Sequence, residues 1–367
     1  MPNPAGAHSL AEIISQPEFW GRCLAALEKE GSLAEVRKPF RSAKEWLFIG
    51  CGSSYYIALA AAASWSAITQ TRARAIPASE LLLFPETVLA GAQDIAAVVI
   101  SRSGQTSEAV RAAQLLEGEK NIRVLAITGT PHQPLEQTAT ATLPLLPCDE
   151  QSTVMTRSFS SMLLGLQYLA ACYADNRALL KAFAKLPAAA SRVMNDLHPR
   201  IREFVGARQF ADYVCLGQGA LYGLACETAL KVTEMSVSYA QSFHTLEFRH
   251  GPKSIVAPET LIIFLLSEQG YDAESGVLEE IKGLGGTTLT ISDRADARAR
   301  NSSDLLMELQ SDIPELLRPA AYPFAGQLLG LYTGLKKGLD PDNPRNLSRV
   351  VVLSEEESTE PSAPAKV

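Results

Sequence analysis

Glu227, Lys231, Glu234 and His250 fall within 24 residues of a 367-residue chain, in the stretch CETALKVTEMSVSYAQSFHTLEFRHGPKS from Cys226 to Ser254. The first three stand at i, i+4 and i+7, so a helix places them on one face. Ala229, Leu230 and Val232 put apolar residues beside that face, and the helix is expected to end before Ser238-Tyr239. Two carboxylates, an ammonium and an imidazole make a proton-transfer set. A solvated helix with an ordinary i,i+4 Glu–Lys pair is the competing reading. Lys253 reads as a loop cation and His244 as a structural histidine.

A second stretch, Ser101-Arg102-Ser103-Gly104-Gln105-Thr106, follows the apolar run Ile95–Ile100 and leads into a predicted helix, Ser107–Leu116. In open parallel sheets that is where ligands bind. Three hydroxyls, a glycine for a tight turn and the free N–H groups of a helix start suit a phosphate, with Arg102 adding charge. A capped helix start needs only one hydroxyl. Ser53 and Ser54, on the neighbouring turn Gly50-Cys51-Gly52-Ser53-Ser54, are expected to close the other side. Gly50-x-Gly52 is half a dinucleotide fingerprint, but Tyr55 occupies the third glycine position. No GxxxxGK[ST] sequence occurs. Neither nucleotide motif is supported.

The elements that must position these groups alternate between strands and helices. Leu10–Lys44 is predicted helical, Trp46–Ile49 is the first buried strand, and an alanine-rich helix runs from about Tyr55 to Thr69. A strand near Arg74–Ala78, a loop at Ser79-Glu80, and strands at Ile95–Ile100, Arg123–Ile127 and Thr142–Leu146 follow. Glu150–Ser158 reads as a polar loop, with Glu150 a site-loop candidate, and Phe159–Tyr173 as an apolar helix. Such alternation implies a parallel sheet covered on both faces. The pattern then restarts. Gly50 and Gly52 pair with Gly217 and Gly219 at a shift of 167, and Val99-Ile100-Ser101 pairs with Leu265-Leu266-Ser267 at 166. Val124–Thr128 pairs with Thr288–Ser292 at 164. Three strands in register over such a distance imply a duplication.

The predicted fold is therefore α/β: two tandem, doubly wound, flavodoxin-like parallel sheets. The first domain is assigned to residues 1–198 and the second to 199–353, with the boundary where His198-Pro199 breaks a helix. Arg318–Leu339 is predicted as a helix and Val350–Val352 as extended. Residues 354–367, acidic and rich in Pro and Ser, are expected to form a flexible tail.

A net charge of −7 argues against general nucleic-acid binding. The six cysteines lack CxxC spacing and read as free thiols in a reducing compartment. The five histidines form no HxH or HExxH pattern, so no metal is expected. Glu12 and Glu18 in the N-terminal segment argue against a signal peptide, and no window of 18 strongly apolar residues suggests a membrane span. A soluble cytoplasmic protein without cofactor is expected.

CGSSYY, SRSGQTSEA, ALKVTEMS, FRHGPKS and DPDNPRNLSR resemble the tandem sugar isomerase (SIS) domains, from about Leu10 to Val352. The chain is similar to the isomerase half of glucosamine-6-phosphate synthase. It is similar too to stand-alone tagatose-6-phosphate ketose/aldose isomerases and amino-sugar-6-phosphate deaminases, and FRHGPKS is closer to that stand-alone group. The resemblance implies that Ser54, Ser101, Ser103 and Thr106 hold a phosphate. It places Glu227, Lys231 and Glu234 on a catalytic helix. His250 would open the sugar ring from the second subunit of a homodimer. Arg102 stands where the synthase has glutamine, which puts phosphate selectivity in question. Arg349 replaces a lysine able to engage a ketose carbonyl, and a guanidinium forms no imine. The chain starts Met1-Pro2-Asn3 with no glutaminase domain, so glutamine-driven amination is not expected.

On this reading the reaction interconverts an aldose and a ketose of a hexose 6-phosphate or amino-hexose 6-phosphate, with or without deamination. Glu234 is the base, Lys231 the electrostatic partner and His250 the ring-opening acid/base. Glu227 either takes part or only holds Lys231. The rival readings are a fructosamine-6-phosphate deglycase and a non-catalytic sugar-phosphate sensor.

Overall fold

A computed structural model describes residues 4–29 and 32–353; the expected acidic tail lies outside them. Among the described residues, ten strands form two five-stranded sheets. The first contains β1 (Glu45–Gly50), β2 (Arg72–Pro77), β3 (Ile95–Ile100), β4 (Val124–Thr128) and β5 (Ala141–Pro144) in the order β2-β1-β3-β4-β5. The second contains β6 (Asp212–Gly217), β7 (Ala240–His244), β8 (Thr260–Leu265), β9 (Thr287–Ser292) and β10 (Leu305–Glu308) in the order β10-β9-β8-β6-β7. Every pairing is parallel. Read from its first strand, each sheet has the same topology, as the repeat in the sequence requires. The central strands are buried on both faces, which explains their continuous apolar runs.

The principal helices are α1 (Ala7–Lys29), α2 (Ser53–Thr69), α3 (Ser107–Gln114), α4 (Arg157–Tyr173), α5 (Leu186–Ala207), α6 (Ala220–Ser236), α7 (Tyr271–Gly283) and α8 (Pro323–Lys336). Helices α2 and α6 follow the first strand of their repeats and pack on each other at the centre of the molecule. Gly52 and Gly219, which precede them, share one backbone conformation, with φ 53° at both and ψ −126° and −127°. The left-handed φ selects glycine at both turns.

Several boundaries differ from expectation. Among the described residues, the N-terminal helical segment comprises α1 and a short helix at Ser32–Arg37, and it closes on a 3-10 turn at Lys38–Phe40. Ser79-Glu80 lies in a short helix, Ala78–Leu83, not in a loop. The predicted Arg318–Leu339 helix begins as a 3-10 turn at Glu315–Ala321 before α8. Val350–Val352 joins no strand. His198-Pro199 does not break a helix, because α5 runs through it. Pro199 forfeits a backbone hydrogen bond, but Val193, Met194, Leu197, Ile201, Phe204 and Val205 are buried along the same helix and hold it continuous. His198 Nε2 hydrogen-bonds the Tyr332 hydroxyl on α8, fastening the helix beside the proline.

Candidate active site

Helix α6 buries the face that carries the ionisable residues. Glu227 and Lys231 are fully buried between α2 and α8. Three glycines of α8 make the close packing possible: Gly326 faces Thr228, Gly330 lies against the Lys231 carbonyl and Gly334 against that of Met235. A methyl group on Gly330 would fall 2.6 Å from the Lys231 oxygen. This Gly-x-x-x-Gly-x-x-x-Gly stripe was readable in the sequence and escaped the reading based on ionisable residues.

Lys231 Nζ pairs with Glu234 and lies 3.4 Å from Glu227 Oε1. Ser53 completes the cluster, donating to Glu227 Oε1 at 3.2 Å and accepting from Lys231 Nζ at 3.2 Å. Burial lifts the Glu227 carboxyl to about 8; Lys231 opposes the shift and Glu234 adds to it. Its second oxygen has no hydrogen-bond partner, which disfavours the anion further. The shift favours the neutral acid at Glu227, while Lys231 keeps its contact with Glu234. Burial alone would lower the Lys231 ammonium, but the neighbouring carboxylates outweigh it and leave the group above the ordinary lysine range.

The second component is the loop after β3. Gly104, at φ 66°, turns the chain, and its N–H donates to Ser101 Oγ at 3.1 Å. The Ser101 hydroxyl lies 3.5 Å from that of Ser103 and 3.3 Å from that of Thr106. Three hydroxyls thus converge at the start of α3, where the helix dipole favours an anion.

Ser54, Ser103, Thr106 and Glu234 line one cavity of about 210 Å³, together with Thr153, Met155 and the C-terminal segment Leu347–Arg349 and Val351. Glu234 of the second repeat therefore faces the hydroxyl loop of the first. Ser53 borders this cavity too, but its hydroxyl turns to Glu227 and Lys231, so it serves the α6 cluster and not the hydroxyl loop.

Arg102 borders the cavity as well, yet both terminal nitrogens of its guanidinium are engaged elsewhere. It pairs with Glu150 at 2.9 Å and donates to the carbonyls of Ser152, Thr153 and Arg349. Glu150 in turn accepts from the backbone N–H groups of Thr156 and Ser158 at the start of α4. Arg102 thus ties the hydroxyl loop to the Glu150–Ser158 loop and to the C-terminal segment. Arg349 points its side chain at Asp149. The same segment is fastened through the Ser107 N–H to the Val351 carbonyl at 3.2 Å and the Leu353 N–H to Ser107 Oγ at 3.0 Å.

The other end of that segment is held by α1. Asp342 accepts from the N–H groups of His8 and Ser9, and Asp340 from that of Gly6. These contacts between Asp340-Pro341-Asp342 and the first helix have no local signal in the sequence. His250 follows a 3-10 turn at Glu247–Arg249, is exposed and does not border the cavity of its own chain. Lys253 and Arg249 both pair with Glu280. Tyr222 stacks on His244, ring centroids 3.8 Å apart. Among the described residues, no helix is long and apolar enough to cross a membrane, and no group of three or more His, Cys, Asp or Glu could hold a metal ion.

Comparison with known proteins identifies the fold. The SIS domain family profile matches residues 40–171 and 212–328, one segment on each sheet. A curated glutamine–fructose-6-phosphate aminotransferase (isomerizing) from Rhizobium meliloti is 26% identical over 70% of this chain. The chain spans 44% of that relative's length. A Thermotoga maritima structure named glucosamine-6-phosphate deaminase is 28% identical, with a TM-score of 0.77 over 95% of this chain and 100% of that one. A Clostridium novyi structure provisionally named a tagatose-6-phosphate ketose/aldose isomerase is 26% identical, with a TM-score of 0.83 over 95% and 94% of the two chains. With both sheets matched by one domain profile and the whole described architecture shared with phosphosugar isomerases and a deaminase, the chain belongs to the SIS domain family as a tandem pair of SIS domains.

Proposed function

We propose that the chain is an aldose–ketose isomerase of a hexose 6-phosphate or amino-hexose 6-phosphate. The observation that carries this reading is the shared cavity: Glu234 opens onto the space bordered by Ser103 and Thr106. A sugar with its phosphate ester on the hydroxyl loop extends its other end, C1 and C2, toward α6. Ser54, Ser103, Thr106 and the N–H groups opening α3 receive the phosphate oxygens, and Ser101, buried and outside the cavity lining, holds their hydroxyls in place. Arg102 positions that loop and does not reach for the ester, and Arg349 lends its carbonyl to the same brace.

Glu234 takes the proton from one of the two carbons and returns it to the other through an enediol, or an enolamine for an amino sugar. Lys231 is buried behind Glu234 and does not border the cavity, so its ammonium stabilises the charge that develops on the sugar oxygen through space, across the Glu234 carboxylate. Glu227, whose burial favours the neutral acid, keeps that ammonium in place through Ser53 and its own carboxyl. Ring opening falls to His250 of a second chain in a homodimer, since this residue is exposed and away from the cavity of its own chain. In deamination the enolamine is protonated at C1 to the C2 imine, water adds to that carbon and ammonia leaves to give the ketose, and the similarity to a glucosamine-6-phosphate deaminase supports including it.

The test is a panel of glucosamine-, galactosamine- and tagatose-6-phosphate, with ketose and ammonia followed together. Turnover is expected on at least one, and Glu234→Gln lowers its kcat by about 10²–10⁴-fold. Undiminished turnover in that variant removes Glu234 from the mechanism. Release of an amino acid from a fructosamine 6-phosphate indicates a deglycase. Thermal stabilisation by the whole panel with no product indicates a sensor.

A further inference from the structure

The second sheet has its own crevice at the carboxyl ends of β6 and β8, a cavity of about 400 Å³. It is the counterpart of the candidate active site. The 167-residue shift pairs Lys231 with Ser64 and Glu234 with Ala67, and both Ser64 and Ala67 border this cavity. The 166-residue shift pairs Ser101 with Ser267 and Gly104 with Gly270, which border it too. The loops share their defining contact: the Gly270 N–H donates to Ser267 Oγ at 2.9 Å, as that of Gly104 does to Ser101 Oγ.

What fills the two loops differs. In the first repeat Ser101 Oγ meets only other loop groups. In the second, Glu274 on α7 folds back into the loop. Its two oxygens accept from Ser267 N and Ser267 Oγ, both at 2.7 Å. Glu274 is buried, and a methyl group on Gly270 would fall 2.4 Å from its Oε1. A glycine is therefore required there for the carboxylate to enter. Burial lifts the carboxyl above its ordinary range, and the two Ser267 donors pull it back.

We propose that the Ser267–Gly270 loop is a second oxyanion seat, occupied by the chain's own Glu274 carboxylate, which closes this crevice to phosphorylated sugars. Gln269 and Asp272 stand where the first loop has Ser103 and Thr106, so the seat suits a carboxylate better than a phosphate. Once emptied, it takes a small carboxylate first and inorganic phosphate second. This inference uses the first loop only as its template and holds whatever reaction the first crevice performs.

The test is Glu274→Ala in the full chain carrying Ser103→Ala and Thr106→Val, which silence the first loop. Acetate and phosphate are each titrated against chloride of equal ionic strength, and unfolding is followed by heat. The parent is expected not to respond. Glu274→Ala is expected to melt lower and to recover by about 2–4 °C in acetate, less in phosphate. Adding Ser267→Ala is expected to abolish the recovery. If Glu274→Ala does not fold unaided, acetate in the refolding buffer is expected to restore it. Glu274→Gln, which keeps the shape of the plug, is expected to fold and to ignore both anions. A folded Glu274→Ala that responds no more than its parent, or an unfolded one that acetate does not restore, overturns the proposal.

Discussion

The two repeats brace the loop after their third strand with an ion pair of opposite polarity. In the first, the loop supplies the cation, Arg102, and the segment after β5 supplies the anion, Glu150. In the second, the loop supplies the anion, Glu268, and the segment after β10 supplies the cation, Arg318, 2.7 Å away. The helix faces diverge as sharply. Helix α6 carries Glu227, Lys231 and Glu234 where α2 carries Ala60, Ser64 and Ala67. Duplicated backbones have thus kept their topology and turn geometry while dividing the chemistry. One repeat keeps the hydroxyl loop, the other the helix with ionisable residues, and one cavity is bordered by both.

The largest effect should come from breaking the α6 cluster. Lys231→Met leaves Glu234 without its cation and buries Glu227 beside an apolar chain. Loss of one partner of a buried pair costs about 3–5 kcal/mol, and turnover is expected to vanish. The paired change on α2, Ser64→Ala, removes a hydroxyl that accepts from Gln167 Nε2 at 3.2 Å. It should cost about 1 kcal/mol and leave turnover intact. Denaturant melts and initial rates of both variants separate the active helix from the silent one.

The braces come next. Arg102→Met strands the fully buried Glu150 and frees the Arg349 carbonyl, so stability should fall by about 3 kcal/mol. KM should rise, and protease cleavage around residues 347–351 should accelerate. Glu268→Gln should change stability by less than about 1 kcal/mol, because its side chain is 60% exposed and Arg318 retains Asp293 at 3.1 Å. Equal effects of the two changes would mean that the reversed polarity has no structural weight.

The remaining difference shows as a pH slope. Glu227 binds its proton more tightly when folded, at about 8 against an ordinary 4.5. The folded state thus holds more protons between those values, and stability falls as pH rises through that window. Glu227→Gln should flatten this part of the profile, gaining on the parent up to about pH 8. Urea melts at pH 5, 6.5 and 8 measure it. No change in slope would mean that the carboxyl is already ionised in the folded protein.

The strands, the duplication and the α6 face were legible because each rests on local pattern: buried parallel strands read as apolar runs, and i, i+4, i+7 fixes a helix face. The hydroxyl loop was legible for the same reason. The commitments of Ser53 and Arg102 were not, since they depend on partners 174 and 48 residues away. Pro199 misled because its local cost is visible in the sequence while the buried stripe that outweighs it is not. Nor was it legible that burial lifts the Glu227 carboxyl, because depth along the helix decides which oxygen loses water, and spacing does not encode depth.

The glycine stripe of α8 sets that depth. Because Gly330 offers no side chain, the turn bearing Lys231 sinks against bare backbone. The reach of the ammonium and of Glu234 is thereby determined by a helix that contributes nothing to the cavity wall. Any redesign of the pocket inherits these three glycines as a fixed floor.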